Sequence, residues 1–290
     1  MNNIQIYQIF YDEKSKNEIL DGFIPLDNTS SKGEGAEWYE FRAIRDFLNN
    51  HELSDDTVYG FVSPKFTSKT GLNAEKIKEL IAKDINDYDV FMPTVHYYHI
   101  AFFLNPFEQG EYAHKGIIDL TKKVIDRLSW NFDIDNLVSS TDSFTFCNYI
   151  FAKKSYWIKW KKMADAFYNL VENDYTNLGE QLRGDTAYKG NKAAFRTFIQ
   201  ERFPAILLAK EFFNIKVFDT KKFFISPMFG PSKKQNFSHS AFEMCNIMKK
   251  FYLMTGDVRY LNSFFAIRST IQVSSGLKDF IEPRQYNIGL

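Results

Sequence analysis

Cysteine is scarce: the 290 residues hold two, Cys147 and Cys245, both among apolar neighbours. Two thiols cannot build a disulfide framework, so a reducing compartment is the simpler expectation. No cysteine spacing suits a structural zinc site. Net charge is missing too, because 36 Lys and Arg balance 36 Asp and Glu. Nucleic-acid binders usually carry a basic excess, so nucleic acid is not an expected partner. No apolar run reaches the ~18 residues of a membrane-spanning helix. The opening segment MNNIQIYQIFYDE lacks a basic stretch followed by an unbroken apolar one, so it does not read as a signal peptide. The expected location is cytoplasmic. A membrane-bound acceptor would be served peripherally, at the inner face of the membrane.

Several chemical signatures are also absent. The chain has no GxxxxGK[ST] phosphate loop, GxGxxG turn, HExxH or GxSxG. This argues against P-loop kinases, dehydrogenases, zinc proteases and α/β-hydrolases. No internal repeat and no Pro- or Ser-rich linker divides the chain. One domain over 1–225 is expected, with a helical C-terminal extension of that domain over 226–290.

What is present is an ordinary globular composition, 44% hydrophobic and 25% charged, which excludes extensive disorder. Aromatics are abundant, with 30 Phe and 16 Tyr. They serve either a Phe-rich core or surfaces on which sugars and nucleobases stack.

Hydrophobic patterning predicts strands over Ile4–Tyr11, Thr57–Val62 and Asp89–Met92. Between them lie an amphipathic helix over Glu37–Leu48 and a helix capped by Asn73 that runs to about Ala82. Strand–helix alternation of this kind marks an α/β layer with a mostly parallel sheet. Further helices are expected over Tyr112–Leu128, from Lys153 to about Val171, over Lys192–Phe213 with a bend at Pro204, and over His239–Thr255 and Val258–Val273. Phe144–Ala152, Ile215–Phe218 and Phe223–Ile225 read as strands, and Thr29–Gly35 and Asn173–Asn191 as loops.

Ligands of open α/β sheets bind beyond the carboxyl ends of the strands. Three segments then converge on one edge: Tyr11 onward, Ser63–Lys69 and Thr94–His99. Lys65 and Lys69 are either solvated surface lysines or point charges suited to a diphosphate. His96 and His99 bracket two tyrosines after the third strand, where they could orient a substrate, meet a phosphate or bind a metal. Asp87/Asp89 and Asp133/Asp135 have DxD spacing, which can hold Mg²⁺ or Mn²⁺ against a diphosphate; it can equally be solvated surface. Glu201 beside Arg202 falls in a helix with a strong apolar stripe, as either its amphipathic surface or a buried site pair; in the second case a carboxyl with a raised pKa would make a general base.

Four segments together resemble a family of bacterial capsular and exopolysaccharide synthesis proteins classed as glycosyltransferases. They are Val58–Phe66 (VYGFVSPKF), Tyr88–Pro93 (YDVFMP), Phe146–Lys154 (FCNYIFAKK) and Phe198–Phe203 (FIQERF). Their order and spacing agree over about Tyr59–Leu208, with Thr197-Phe198 where a glycine–aromatic pair is common. The resemblance implies an α/β, GT-A-like fold: a mixed, mostly parallel sheet flanked by helices that binds a nucleotide-sugar at its strand ends. It implies transfer of that sugar to a surface-polysaccharide acceptor, a glycan or lipid-linked glycan. By position Glu201 and His96 become the catalytic candidates. Tyr11, Lys65, Asp89, His99, Asn148 and Arg202 become the donor-binding ones, with Asn148 bordering a sugar. Asp133 and Asp135 remain the candidates for a metal, Mg²⁺ or Mn²⁺, which the chemistry permits without requiring. Two other readings stay open: a non-catalytic scaffold or glycan-binding protein in polysaccharide assembly, and a transferase of another nucleotide-activated group.

Overall fold

The computed structural model describes residues 3–30, 38–188, 191–220 and 239–274. In chain order the elements are β1 (Asn3–Phe10), α1 (Glu13–Asn17), β2 (Ile24–Asp27), α2 (Tyr39–Asn50), β3 (Thr57–Val62), α3 (Phe66–Thr70), α4 (Ala74–Asp84), β4 (Val90–Pro93) and α5 (Tyr97–Phe102). Then come α6 (Pro106–Ala113), α7 (Ile117–Arg127), β5 (Phe151–Lys153), α8 (Lys154–Asn173), α9 (Asn177–Arg183), β6 (Asp185–Tyr188) and β7 (Asn191–Ala194). The last are α10 (Phe195–Gln200), α11 (Phe203–Lys210), β8 (Ile215–Phe218), α12 (His239–Thr255) and α13 (Val258–Ser274).

Six strands form one sheet in the order β2-β1-β3-β5-β4-β8. Neighbours run parallel except around β5, which is antiparallel to both β3 and β4. The fold is therefore α/β with a mostly parallel mixed sheet. Pro25 sits in β2, at the sheet's edge, where its missing N–H does no harm. β3 is buried along its whole length, as a strand covered on both faces must be. Its side chains alternate. Tyr59 and Phe61 join a core with Trp38 and Phe41 near and in α2 and Trp157 and Trp160 of α8. Val58 and Val62 join Ile77 and Ile81 of α4 on the other face.

Gly60 permits the central pairing. It lies opposite Phe151 of β5, and a Cβ there would fall 2.1 Å from the Phe151 ring. The Trp157 indole fastens the same joint by donating to the carbonyls of Tyr59 and Ala152, each at 3.1 Å.

The C-terminal region is a helical hairpin, α12–α13, that packs on α5 through Phe242 and Phe264. Buried polar ties secure it. Lys249 donates to the carbonyls of Ile100 and Phe103, and Arg268 pairs with Glu108 at 2.9 Å. Among the described residues, no helix is long and apolar enough to cross a membrane.

The structure redraws several expected elements. The helix predicted over Tyr112–Leu128 is two, α6 and α7, broken at Gly116, whose φ of 95° only glycine adopts readily. Thr94–His99 is only partly a loop, since α5 begins at Tyr97. Of Phe144–Ala152 only the last two residues are strand, and side-chain bonding holds the rest as a loop, including Thr145 Oγ1 to the Cys147 carbonyl at 2.7 Å. Asn173–Asn191 contains α9 and β6. Lys192–Phe213 divides into β7, α10 and α11, with Pro204 in the first turn of α11, where its lack of an N–H costs nothing. Most of the loop expected over Thr29–Gly35, the strand at Phe223–Ile225 and the boundary at 225/226 lie outside the described residues.

Candidate functional site

A small polar cavity of about 30 Å³ sits at the carboxyl edge of the sheet. Ser63 reaches it from the end of β3, and Lys69 from the last turn of α3. Because β5 runs against its neighbours, the residues before it, Cys147, Asn148 and Tyr149, arrive at that same edge. Glu40 enters from the first turn of α2 and Glu201 from the end of α10.

The walls are cross-bonded. Ser63 and Tyr149 share a hydroxyl–hydroxyl hydrogen bond of 2.6 Å. The Lys69 ammonium lies 5.6 Å from the Tyr149 ring centre. Asn148 Nδ2 donates to Gln200 Oε1 at 2.9 Å. The Tyr11 hydroxyl is buried against the Glu40 carboxylate. Burial, and then the facing Glu40 charge, push its pKa well above the usual tyrosine value. Burial raises the Cys147 thiol to about 11, so it stays protonated and unreactive at neutral pH.

Glu201 is the poised group. Part of the residue keeps solvent access, but its carboxyl is densely surrounded, and that desolvation raises its pKa to about 7. Arg202 and Lys69 oppose the rise, and the Glu40 carboxylate reinforces it. A carboxyl near 7 exchanges protons readily at neutral pH.

The other expected residues fall in different places. His96 caps α5 in a left-handed conformation, φ 57°, with its ring stacked on Phe146 at 5.7 Å between centroids. Burial and then Lys69 lower its pKa to about 4, so it is neutral at physiological pH. His99 lies next to it, ring centres 5.8 Å apart, and packs on Phe103. His96 feels the charge of Lys69, and neither histidine lines the cavity.

Lys65 is exposed at the start of α3, and Lys69, one turn later, brings the positive charge to the cavity. Asp89 precedes β4 and so lies at the opposite, amino edge of the sheet; it accepts from the Asn214 N–H at 3.1 Å and faces Lys153 at 3.6 Å. That position removes it from any ligand held at the carboxyl edge. Arg202 is turned away as well. Its guanidinium donates to the Pro106 and Phe198 carbonyls at 2.8 and 2.6 Å and to Gln109 Oε1 at 2.7 Å, pinning α6 to α10. It is a brace rather than a contact for phosphate.

The aspartate pair does not fit a divalent cation. Asp133 accepts from the Asp135 N–H at 2.8 Å and from Asn136 Nδ2 at 2.7 Å, and Asp135 pairs with Lys122. Oxygens committed to these donors shape a turn. Among the described residues, no group of three or more His, Cys, Asp or Glu side chains is placed to hold a metal.

Sequence reasoning missed Glu40, Tyr149 and Gln200. Glu40 adjoins the apolar stripe of its helix, and Gln200 is a buried amide next to the core residue Ile199. Both are polar residues set against a core face, which is the available signal.

A second, wider depression of about 250 Å³ opens beyond the carboxyl ends of β4 and β8, against α12. Thr94, Tyr97 and Asn246 line it, with Asp142, Asp219 and Glu243 against one cation, Lys250. This lining suits hydroxyl groups better than phosphate.

No family model, curated protein or solved structure matches the chain.

Proposed function

We propose that the protein is a GT-A-like glycosyltransferase that moves a sugar from a nucleotide-sugar donor to a glycan or lipid-linked glycan acceptor. The observation that carries this reading is Glu201: a carboxyl raised to about 7, beside Lys69, in a polar cavity at the carboxyl edge of parallel strands. In the reaction an acceptor hydroxyl attacks the anomeric carbon and the bond from that carbon to the diphosphate breaks. The hydroxyl proton passes to the Glu201 carboxylate, and Lys69 faces the departing negative charge. Neutral His96 orients groups beside Lys69 without adding charge. The mixed sheet with its site at the strand ends agrees with the GT-A-like expectation.

The cavity bounds how a ligand sits. About 30 Å³ is roughly the room of one water molecule. A substrate therefore reaches Glu201 with a single group while its body lies outside. The wider depression by Asp219 and Glu243, on the same edge, suits the hydroxyls of an acceptor.

The test is a thermal-shift panel of UDP, GDP, CMP and dTDP with their sugars, with and without Mn²⁺. One nucleotide class should raise Tm selectively. A flat panel would overturn the assignment.

One observation favours the second reading, a non-catalytic scaffold. Met244, Ile247, Phe251 and Met254 recur at helical spacing on α12 and are all exposed, Met254 by 78%. An exposed apolar stripe of this kind marks a contact surface. That reading predicts no nucleotide affinity.

A further inference from the structure

Asn148 and Gln200 are both almost fully buried, and a single hydrogen bond joins their carboxamides. After that bond, Asn148 Oδ1 and Gln200 Nε2 are left buried with no partner. An acceptor and a donor abandoned in a protein interior are both costly, because neither recovers the hydrogen bonds it gave up to water. Two such atoms on one bonded pair of side chains mark a place where another polar group belongs.

Which group fits follows from the atoms. We infer that Asn148 and Gln200 act together as a clamp for one neutral hydroxyl: a water in the free protein and a single sugar hydroxyl when substrate is bound. A hydroxyl donates its hydrogen to Asn148 Oδ1 and accepts from Gln200 Nε2 at once. Carboxylate oxygens, and the ionised oxygens of a diphosphate, carry no hydrogen to donate to Asn148. An ammonium cannot accept from Gln200. The conclusion survives the assignment of the amide ends, since turning both carboxamides over leaves one free N–H and one free carbonyl oxygen as before.

Position adds to chemistry. Asn148 lines the cavity that holds Glu201 and Lys69, and Gln200 is the residue before Glu201. The pair is thus a specificity device, distinct from the diphosphate contact. It narrows the glycosyl-transfer proposal, on which its substrate side rests, to a sugar presenting an unmodified hydroxyl at that point. Sites built to bond a hydroxyl reject the analogue without it far more sharply than apolar pockets reject a methylene.

The test is a high-resolution crystal structure of the intact protein, free and after soaking in ethylene glycol or in sulfate, whose oxygens carry no hydrogen. Free crystals should show one oxygen within about 3.2 Å of both carboxamides. The glycol soak should place a glycol hydroxyl there, and the sulfate soak should leave the water in place. Carboxamides that touch no oxygen, or a sulfate oxygen taking the position, would overturn the inference. Among monodeoxy analogues of a sugar that binds, one should lose affinity by about 100-fold or more, and Gln200→Met should abolish that discrimination. The two proposals fail separately. A flat nucleotide-sugar panel with the oxygen in place sinks the transferase and keeps the clamp; a selective panel without the oxygen does the reverse.

Discussion

Glu40 and Glu201 line the same cavity, and the charge of Glu40 disfavours ionisation of Glu201. As a base, Glu201 must be ionised, so kcat/KM should rise with pH through about 7. Glu40→Gln removes the repulsion and should move that limb to lower pH. An unmoved limb would separate the two carboxyls functionally.

Glu201→Gln should lower kcat by about 10²- to 10⁴-fold while leaving donor affinity intact. Single-turnover rates beside a binding titration would separate these effects.

The same carboxyl affects stability. Its folded pKa, about 7, exceeds the ordinary 4.5, so between those values the folded state holds more protons than the unfolded one. Stability from this group is then lost as pH rises through that window. The Tm advantage of Glu201→Gln over the parent should grow from pH 4.5 to 7 and level off above. Taking the difference cancels the opposite slope from His96, whose pKa is lowered to about 4.

Lys69→Met should weaken nucleoside-diphosphate binding by about tenfold or more, and Lys65→Met should leave it unchanged. The first ammonium lines the cavity and the second is in solvent. A titration at two salt concentrations would check that the loss is electrostatic.

Gly60→Ala should destabilise the fold by about 1–3 kcal/mol, because the new methyl meets the Phe151 ring. Arg202→Met should cost about 3 kcal/mol by stripping the partners of a buried guanidinium, without changing nucleotide affinity in the protein that remains folded. Urea denaturation measures both.

Much of the sheet was legible in the chain. Thr57–Val62 has the expected bounds, and β1, β4 and β8 lie within a residue or so of theirs, because apolar runs between turn residues carry a local signal. The break at Gly116 and the loop at 144–150 were not legible, since long-range packing and side-chain bonding decide them. The candidate site was legible as an edge: Ser63, Lys69, Asn148 and Glu201 line one cavity there with Tyr11 against Glu40, whereas Thr94–His99, the third segment expected to converge, does not line it. Asp89 and Arg202 stand away from the cavity for physical reasons: Asp89 precedes its strand and so sits at the amino edge, and backbone carbonyls take up the charge of Arg202. Glu40 escaped because its partner in charge stands far along the chain.

The three residues of β5 also govern the order of assembly. β3 and β4 do not touch as neighbours; β5, supplied by residues 151–153, must slide between them antiparallel to both. A chain emerging from the ribosome can pair β1, β2 and β3 early, but β4 has no strand to dock on until β5 appears. Until then the flank of β3 is an open edge, the kind that recruits strands from other chains. An aggregation-exposed interval is therefore written into the topology, and it closes when the Phe151 ring settles over Gly60.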